Sequence, residues 1–405
     1  MSSNYKRIGD YIELVDERNT DLSIDLLLGL TVEKRFIPSV ANTVGTNMKN
    51  YKIIRKNQFA CSTMQVRRDK KMPVAILKDF EKAIISQAYP VFQVVDESIL
   101  DPDYLMMWFS RAEFDRQATF HAVGGVRGSL EWEDFLDFEL PIPSIEKQRE
   151  IVNEYNTVTN RIKLNEQLNQ KLEETAQALY RHWFVDFEFP NEEGKPYKSS
   201  GGEMVYNEEL DKEIPVGWEV DYLNDICEVL NKKRKPISGI EREDIQGEYP
   251  YYGAMGIVDY IDKYIFEGTY VLVSEDGVYV TDKNGNPSLQ YVWGKFWVNN
   301  HAHILQGNDL ISTEYLMLAL KNTNVSHLVT GAAQPKINLG NLSSIQLQVP
   351  NDMVLNNFNR YISKLYEVYK SGYDENKLLL ELQAVLLSKM SKVKEETKKE
   401  VATCN

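Results

Sequence analysis

The chain has 405 residues, 43% hydrophobic and 26% charged, with a formal net charge of −14, the composition of an ordinary globular protein of two to three domains. No run approaches the ~18 apolar residues of a membrane span, the opening MSSNYKRIGDY lacks the apolar core of a signal peptide, and Cys61, Cys227 and Cys404 are too few and scattered for a disulfide framework or a cysteine-rich metal site. A cytoplasmic setting is expected, and the acidic balance argues against a stand-alone nucleic-acid binder, although the charge is unevenly spread.

Residues 1–143 read as a first globule of mixed α and β character. Short β-rich runs at 51–54, 74–77, 90–95 and 135–142 alternate with polar loops, and 104–109 reads as a short buried helix, with Pro102 near its first turn. Between 49 and 80, nine basic residues stand against Asp69 and Asp79, a charge of +7 in an acidic protein. The cluster Arg67, Arg68, Lys70 and Lys71 points to a phosphate-contacting surface.

Residues 144–187 form a first long helix. Ile151, Tyr155, Val158 and Ile162 step by four, three and four, and Leu172, Ala176, Leu179 and Trp183 do the same, which marks a coiled-coil seam. Asn165 and Asn169 fall on that seam as register devices. Residues 188–213, FPNEEGKPYKSSGGEMVYNEELDKE in large part, read as a polar surface linker.

A second globule spans 214–350. It carries the basic run Lys232, Lys233, Arg234 and Lys235, then aromatic and β-branched residues interspersed with glycines from 249 to 277, the pattern of a twisted sheet. Asn284 and Asn286 sit in a turn, and His301 and His303 have strand spacing. Residues 351–395 form a second long helix with Phe358, Ile362, Leu365, Tyr369, Leu379, Leu382, Leu386 and Val393 on its seam; Gly372 suggests a kink, with Asp374 as a restarting cap. Residues 396–405 are a polar tail.

The chain contains its design twice. At an offset of 207, Leu140, Ile142 and Pro143 fall on Leu347, Val349 and Pro350, and Gly124, Leu130, Phe135 and Phe138 fall on Gly331, Ile337, Leu342 and Ile345. Tyr104, Leu105 and Met106 return as Tyr315, Leu316 and Met317 at an offset of 211, so a loop indel separates otherwise parallel copies. Two seams in one chain most simply pack on each other, antiparallel if the globules lie at opposite ends.

Motifs for chemistry are sparse. There is no Gly-rich phosphate loop ending in Lys and Ser or Thr, and no HExxH helix; His301 and His303 lack a third ligand nearby. The expectation is a binding module rather than an enzyme.

The segments GGVRGSLEWEDFLDFELPIPSIEKQREIV, LYRHWFVDFEFP with GGEMV and IPVGW, and YPYYGAMGI through VSEDG, VNNHAH and GAAQPKI resemble the specificity subunit of type I restriction-modification systems, in order and over most of the chain. The resemblance implies an α+β fold, with two mixed α/β target recognition domains (1–143 and 214–350) separated by two long antiparallel coiled-coil helices in a pseudo-twofold repeat. It implies a non-catalytic subunit that reads a bipartite, asymmetric site on double-stranded DNA. The implied partners are two modification subunits and restriction subunits, with S-adenosylmethionine, ATP and magnesium on those partners only. Candidate DNA-contacting residues are Arg67, Arg68, Lys70, Lys71 and Arg127 in the first globule, and Lys232, Lys233, Arg234, Lys235, Asn284, Asn286 and Gln334 in the second; Arg234 is a candidate guanine reader. Glu146 and Gln148, absent from the second copy, suggest partner contacts that differ between halves. Two other readings stay open: a specificity module of a single-polypeptide restriction enzyme or another phage-defence complex, and a long-helix scaffold without a nucleic-acid role.

Overall fold

The computed structural model describes residues 5–40, 45–124, 128–331 and 333–392. The chain divides into two compact units, one formed by residues 1–165 with 374–405 and the other by 166–373. Each unit thus takes one globule and half of each long helix.

In the first unit, Ile12–Val15, Val91–Val94, Phe59–Cys61 and Val74–Ile76 form a four-stranded sheet in that order. The helix Pro102–Phe109 starts where Asp101 accepts from the backbone N–H of Asp103 and Tyr104, with Pro102 in its first turn. Its Tyr104, Leu105 and Phe109 are buried with Phe59, Phe92, Phe114 and Phe135 in one core. The run 135–142, expected to be extended throughout, instead starts as the helix Trp132–Leu136 before the strand Glu139–Pro141. Burying Phe135 and Phe138 in the aromatic core needs the helical turn between them.

The second unit is built on a six-stranded sheet: Glu228–Val229, Ala302–Gln306, Phe266–Ser274, Leu289–Val298, Gln246–Gly253 and Gly256–Ile261, in that order. Helix Thr313–Lys321, capped by Ser312, buries Tyr315, Leu316, Met317, Leu318, Ala319 and Leu320. Residues 188–213 are more than a linker. Met204–Asn207 and Lys212–Pro215 pair as a hairpin, while Phe187 and Phe189 pack on Trp218. The polar side chains of this segment face outward and hide that apolar anchor.

The repeat read from the sequence is also a repeat of contacts. Tyr5–Arg7 pairs with Glu139–Pro141 in one unit, and Glu219–Tyr222 with Gln346–Val349 in the other. The Ile8 N–H donates to Phe138 O at 2.7 Å where the Leu223 N–H donates to Ile345 O at 2.8 Å. Tyr104 donates through its hydroxyl to Pro141 O at 3.0 Å, and Tyr315 to Gln348 O at 2.8 Å. Each tyrosine ties the buried helix of its globule to the strand leading into a long helix.

The long helices are Ile145–Phe184 and Asp352–Lys389, and they run antiparallel within each unit. In the first, Thr159 Oγ1 accepts from Gln383 at 2.8 Å, and Asn165 donates to Glu375 at 2.8 Å and Asn376 at 2.9 Å. Arg161 adds a two-pronged pair with Glu375. Asn165 is buried, so these bonds penalise any register that leaves it unpaired, as a seam asparagine should. In the second unit Trp183 packs on Phe358 and Tyr361.

Two details of the seam differ from expectation. Gly372 does not interrupt the helix, and Asp374 lies inside it rather than capping it; a Cβ at Gly372 would sit 2.9 Å from Asn169 Oδ1, so the glycine admits the facing helix. Leu382 is exposed and Gln383 takes the inward place; Val393 lies outside the described residues.

Candidate nucleic-acid interface

In the first unit the basic cluster lies on a turn locked to a loop. The short helix Val66–Asp69 is flanked by Gln65 and Lys70, both left-handed, and Val66 is its buried foot. The Leu130 N–H donates to Thr63 O at 2.9 Å, and the Arg67 N–H to Gly128 O at 3.2 Å. Arg67 also donates through its guanidinium to Gly124 O at 3.0 Å. Val123 and Ser129 close the loop as a bridge. Below, the Met72 N–H donates to Asp115 at 3.1 Å, and Asp115 holds Lys34 at 2.8 Å. Burial pushes the Lys34 ammonium below the usual lysine range, with Asp115 opposing.

Of the candidates here, Arg67 anchors the loop and Arg68 pairs with Asp69 at 2.6 Å, while Lys70 and Lys71 are exposed. Arg127 lies outside the described residues. Much of the remaining positive charge in 49–80 is engaged: Arg55 with Glu17, Lys56 with Glu81, Lys78 with Asp103. The surface available to phosphate is therefore narrower than the sequence count of +7 suggests.

Gly128 is where loop and arginine touch. A Cβ there would lie 2.9 Å from Val123 O and 3.2 Å from Arg67 Cβ and Cδ. Gly128→Val is expected to displace Arg67 and weaken recognition by this unit alone, by ~1–3 kcal/mol of overpacking. Methylation mapping in the variant would show relaxed sequence at one half-site and an unchanged other half.

The second unit builds the same frame with different side chains. Thr330 and Lys336 bridge as Val123 and Ser129 do, the Ile337 N–H donates to Glu275 O at 2.9 Å, and the Gly277 N–H to Pro335 O at 3.1 Å. Gly331 and Gly277 take φ of +87° and +112°, conformations that a β-carbon would strain. The pivot is Glu275. Its carboxylate accepts from Arg234 at 2.7 Å and meets Lys336 Nζ at 3.0 Å, and its backbone N–H donates to His301 O at 2.9 Å. Burial opposes its ionisation, yet the bonds from Arg234 and Lys336 prevail and hold its carboxyl below the usual range.

Arg234, expected as a guanine reader, is engaged in this structure as a clamp on Glu275. It also donates to Ala302 O at 2.8 Å and, through Nε, to Asn231 O at 3.2 Å, so Nη1 and Nε of the fork are committed to internal acceptors. Lys232, Lys233 and Lys235 stay exposed around it. Asn284 is exposed, and Asn286 half-buried, in a turn whose Asp282 carboxylate accepts both their backbone N–H groups, at 2.8 and 2.9 Å. Gln334 is exposed on the bridged loop.

The two histidines do not share a face. His301 is exposed in a turn against Asp276 at 2.9 Å. His303 is fully buried, its ring nitrogens meeting Asn231 Nδ2 and Ile337 O, both at 2.8 Å. Burial lowers its pKa, so the neutral ring donates to Ile337 O and accepts from Asn231. Among the described residues no cluster of three or more His, Cys, Asp or Glu could hold a metal, and no helix is long and apolar enough to cross a membrane.

Gln148 also departs from expectation. It is fully buried, donating to Ile99 O at 2.8 Å and Pro143 O at 2.9 Å and accepting from the Asp101 N–H at 2.9 Å, so it is an internal brace with no surface left for a partner. In the second copy Asn359 does the same work, donating to Leu310 O at 3.0 Å and accepting from Ser312 at 2.7 Å. The offset is that of the buried helices, 211, rather than that of the strands, which concealed the match.

One frame built twice, with unlike exposed side chains around each copy, defines a tandem recognition protein. A family model described as the type I restriction modification DNA specificity domain matches residues 32–174 and 215–354, and the chain belongs to that family. The Haemophilus influenzae type I specificity subunit S.HindORF215P is 33% identical over 36% of this chain and 37% of its own length. The Methanocaldococcus jannaschii MjaIX specificity subunit is 24% identical over 71% of this chain and 68% of its own. The type I S subunit of M. genitalium shares the fold, at 15% identity, a TM-score of 0.55, and coverage of 97% of this chain and 96% of that one. The role of this chain is sequence specificity for DNA.

Proposed function

We propose that residues 1–143 and 214–350 each read one half of a bipartite, asymmetric site on double-stranded DNA, and that the chain brings two modification subunits, and restriction subunits, to that site. The observation that carries this is the duplicated frame: each bridged loop is locked to a turn, but Arg67, Lys70 and Lys71 dress one copy where Lys232, Lys233, Lys235 and Gln334 dress the other. Equivalent frame contacts with different exposed groups suit two different half-sites. S-adenosylmethionine, ATP and magnesium belong in this reading to the partner subunits, and the purified chain alone transfers no methyl group and cuts no DNA.

The modification subunits have a surface on the helices. Leu378, Leu382 and Val385 follow one another by four and three residues, and all are exposed, an apolar stripe of the kind that partner helices cover. Leu378→Asp with Leu382→Asp is expected to abolish co-purification of the modification subunits and leave the melting temperature of the chain within a few degrees of wild type.

The DNA contact is tested by Lys232→Ala, Lys233→Ala and Lys235→Ala together. Binding of the complex should weaken about equally on all sequences, and the slope of log K against log salt should fall by up to ~0.9 for each phosphate that is no longer neutralised. An unchanged slope would reduce this run to a solvated turn.

A further inference from the structure

Two highly exposed large side chains stand at the tip of the turn in the second frame. Val278 is 82% exposed and Tyr279 66% exposed, yet the backbone on either side is fixed. The Gly277 N–H donates to Pro335 O, Val280 is buried, and its carbonyl accepts from the Ser288 N–H at 2.9 Å. The same coincidence marks the first unit, where Phe120 is 85% exposed and Val123 half-uncovered at the start of the bridged loop.

Holding a tyrosine and a valine rigidly in water forgoes the burial of both, without the entropy that a loose loop would keep. The surroundings identify the occupant. Lys283 is exposed on the next turn, and Lys232, Lys233 and Lys235 are exposed on the segment that Arg234 ties to Glu275. The neighbouring acids are engaged: Glu275 with Arg234 and Lys336, Asp276 with His301, Asp282 with its own turn. An apolar tip with exposed Lys283 four residues on, and with the lysine run tied to the start of its turn by the Arg234–Glu275 pair, fits a polyanion with stackable apolar faces, which is duplex DNA.

We propose that Val278 and Tyr279 in the second unit, and Phe120 and Val123 in the first, enter bound DNA as apolar wedges, each opening one base step of its own half-site. The inference rests on the DNA-reading role proposed above and adds a mode of contact to it. A wedge supplies specificity through the ease of unstacking as well as through hydrogen bonds, because pyrimidine–purine steps open at the least cost.

The test uses the full chain assembled with its modification subunits and the site found by mapping methylated bases. 2-Aminopurine is placed in one half-site or the other, at a step away from the methylated base. Wild type should raise its fluorescence in both positions. Tyr279→Ala should lose the rise in one half-site only, with ~10- to 100-fold weaker specific binding and an unchanged salt slope; Tyr279→Phe should restore it, and Phe120→Ala should act on the other half. A full fluorescence rise with wild-type affinity in Tyr279→Ala would overturn the wedge. So would loss of assembly with the modification subunits, which would make the tip a protein contact. If wild type itself does not prefer the mapped site over scrambled DNA, the DNA-reading role falls first, independently of the wedge.

Discussion

Glu275→Ala is expected to cost the second unit ~2–4 kcal/mol and to abolish discrimination at its half-site. The carboxylate is largely buried between Arg234 at 2.7 Å and Lys336 at 3.0 Å, and removing one partner of such a group leaves uncompensated charge behind, a cost of ~3–5 kcal/mol when fully buried. The lower figure allows for the solvent that reaches Lys336. Function should suffer more than stability, because Arg234 positions the lysine run and Lys336 closes the loop carrying Gln334. The first half-site should be read as before, and a methylation map of the variant would show whether it is.

The same carboxylate gives the unit an acid limit. Its folded pKa lies below the unfolded value, near ~4.3 for glutamate, so its contribution is complete above that value and is lost as pH falls through the folded pKa. In Glu275→Gln the loss is present at every pH, and the stability difference from wild type should shrink toward acid. A urea titration series from pH 7 to 3 measures this; a difference that grew toward acid would refute the assignment.

Gln148→Ala is expected to destabilise the first unit by ~2–4 kcal/mol. The side chain is fully buried and satisfies two carbonyls and one N–H that otherwise lack partners among the described groups, and truncation adds a cavity to the missing bonds. Asn359→Ala removes one bond to a carbonyl and one from a hydroxyl, so ~1–2 kcal/mol is expected in the second unit. Hydrogen exchange separates the two effects: protection should fall around residues 99–110 in the first variant and 310–320 in the second. Loss of modification-subunit binding with normal protection would restore Gln148 to the surface role its absence from the second copy suggested.

The long helices were legible because their period is written in side chains: Ile151, Tyr155, Val158 and Ile162 can share a face only on a helix. The repeat was legible for a related reason, since Gly124 and Gly331 occupy a left-handed turn that few other residues tolerate. Those constraints act within a few residues of chain, where sequence and conformation are tied directly.

What lies between distant segments was not legible. Nothing in the run Lys232, Lys233, Arg234, Lys235 distinguishes its one internal member, because the Arg234 acceptors come from Glu275, Ala302 and Asn231. Gln148 looked like a surface residue on a helix, and its burial is set by Ile99 and Asp101. Gly372 looked like a break until the facing Asn169 explained it. Charge and periodicity, being local, determined that there are two copies, two seams and a basic stretch in each globule. Which cation is a clamp and which faces outward was decided by tertiary contacts alone, since a side chain's free hydrogen-bonding capacity depends on partners that the chain brings together only on folding.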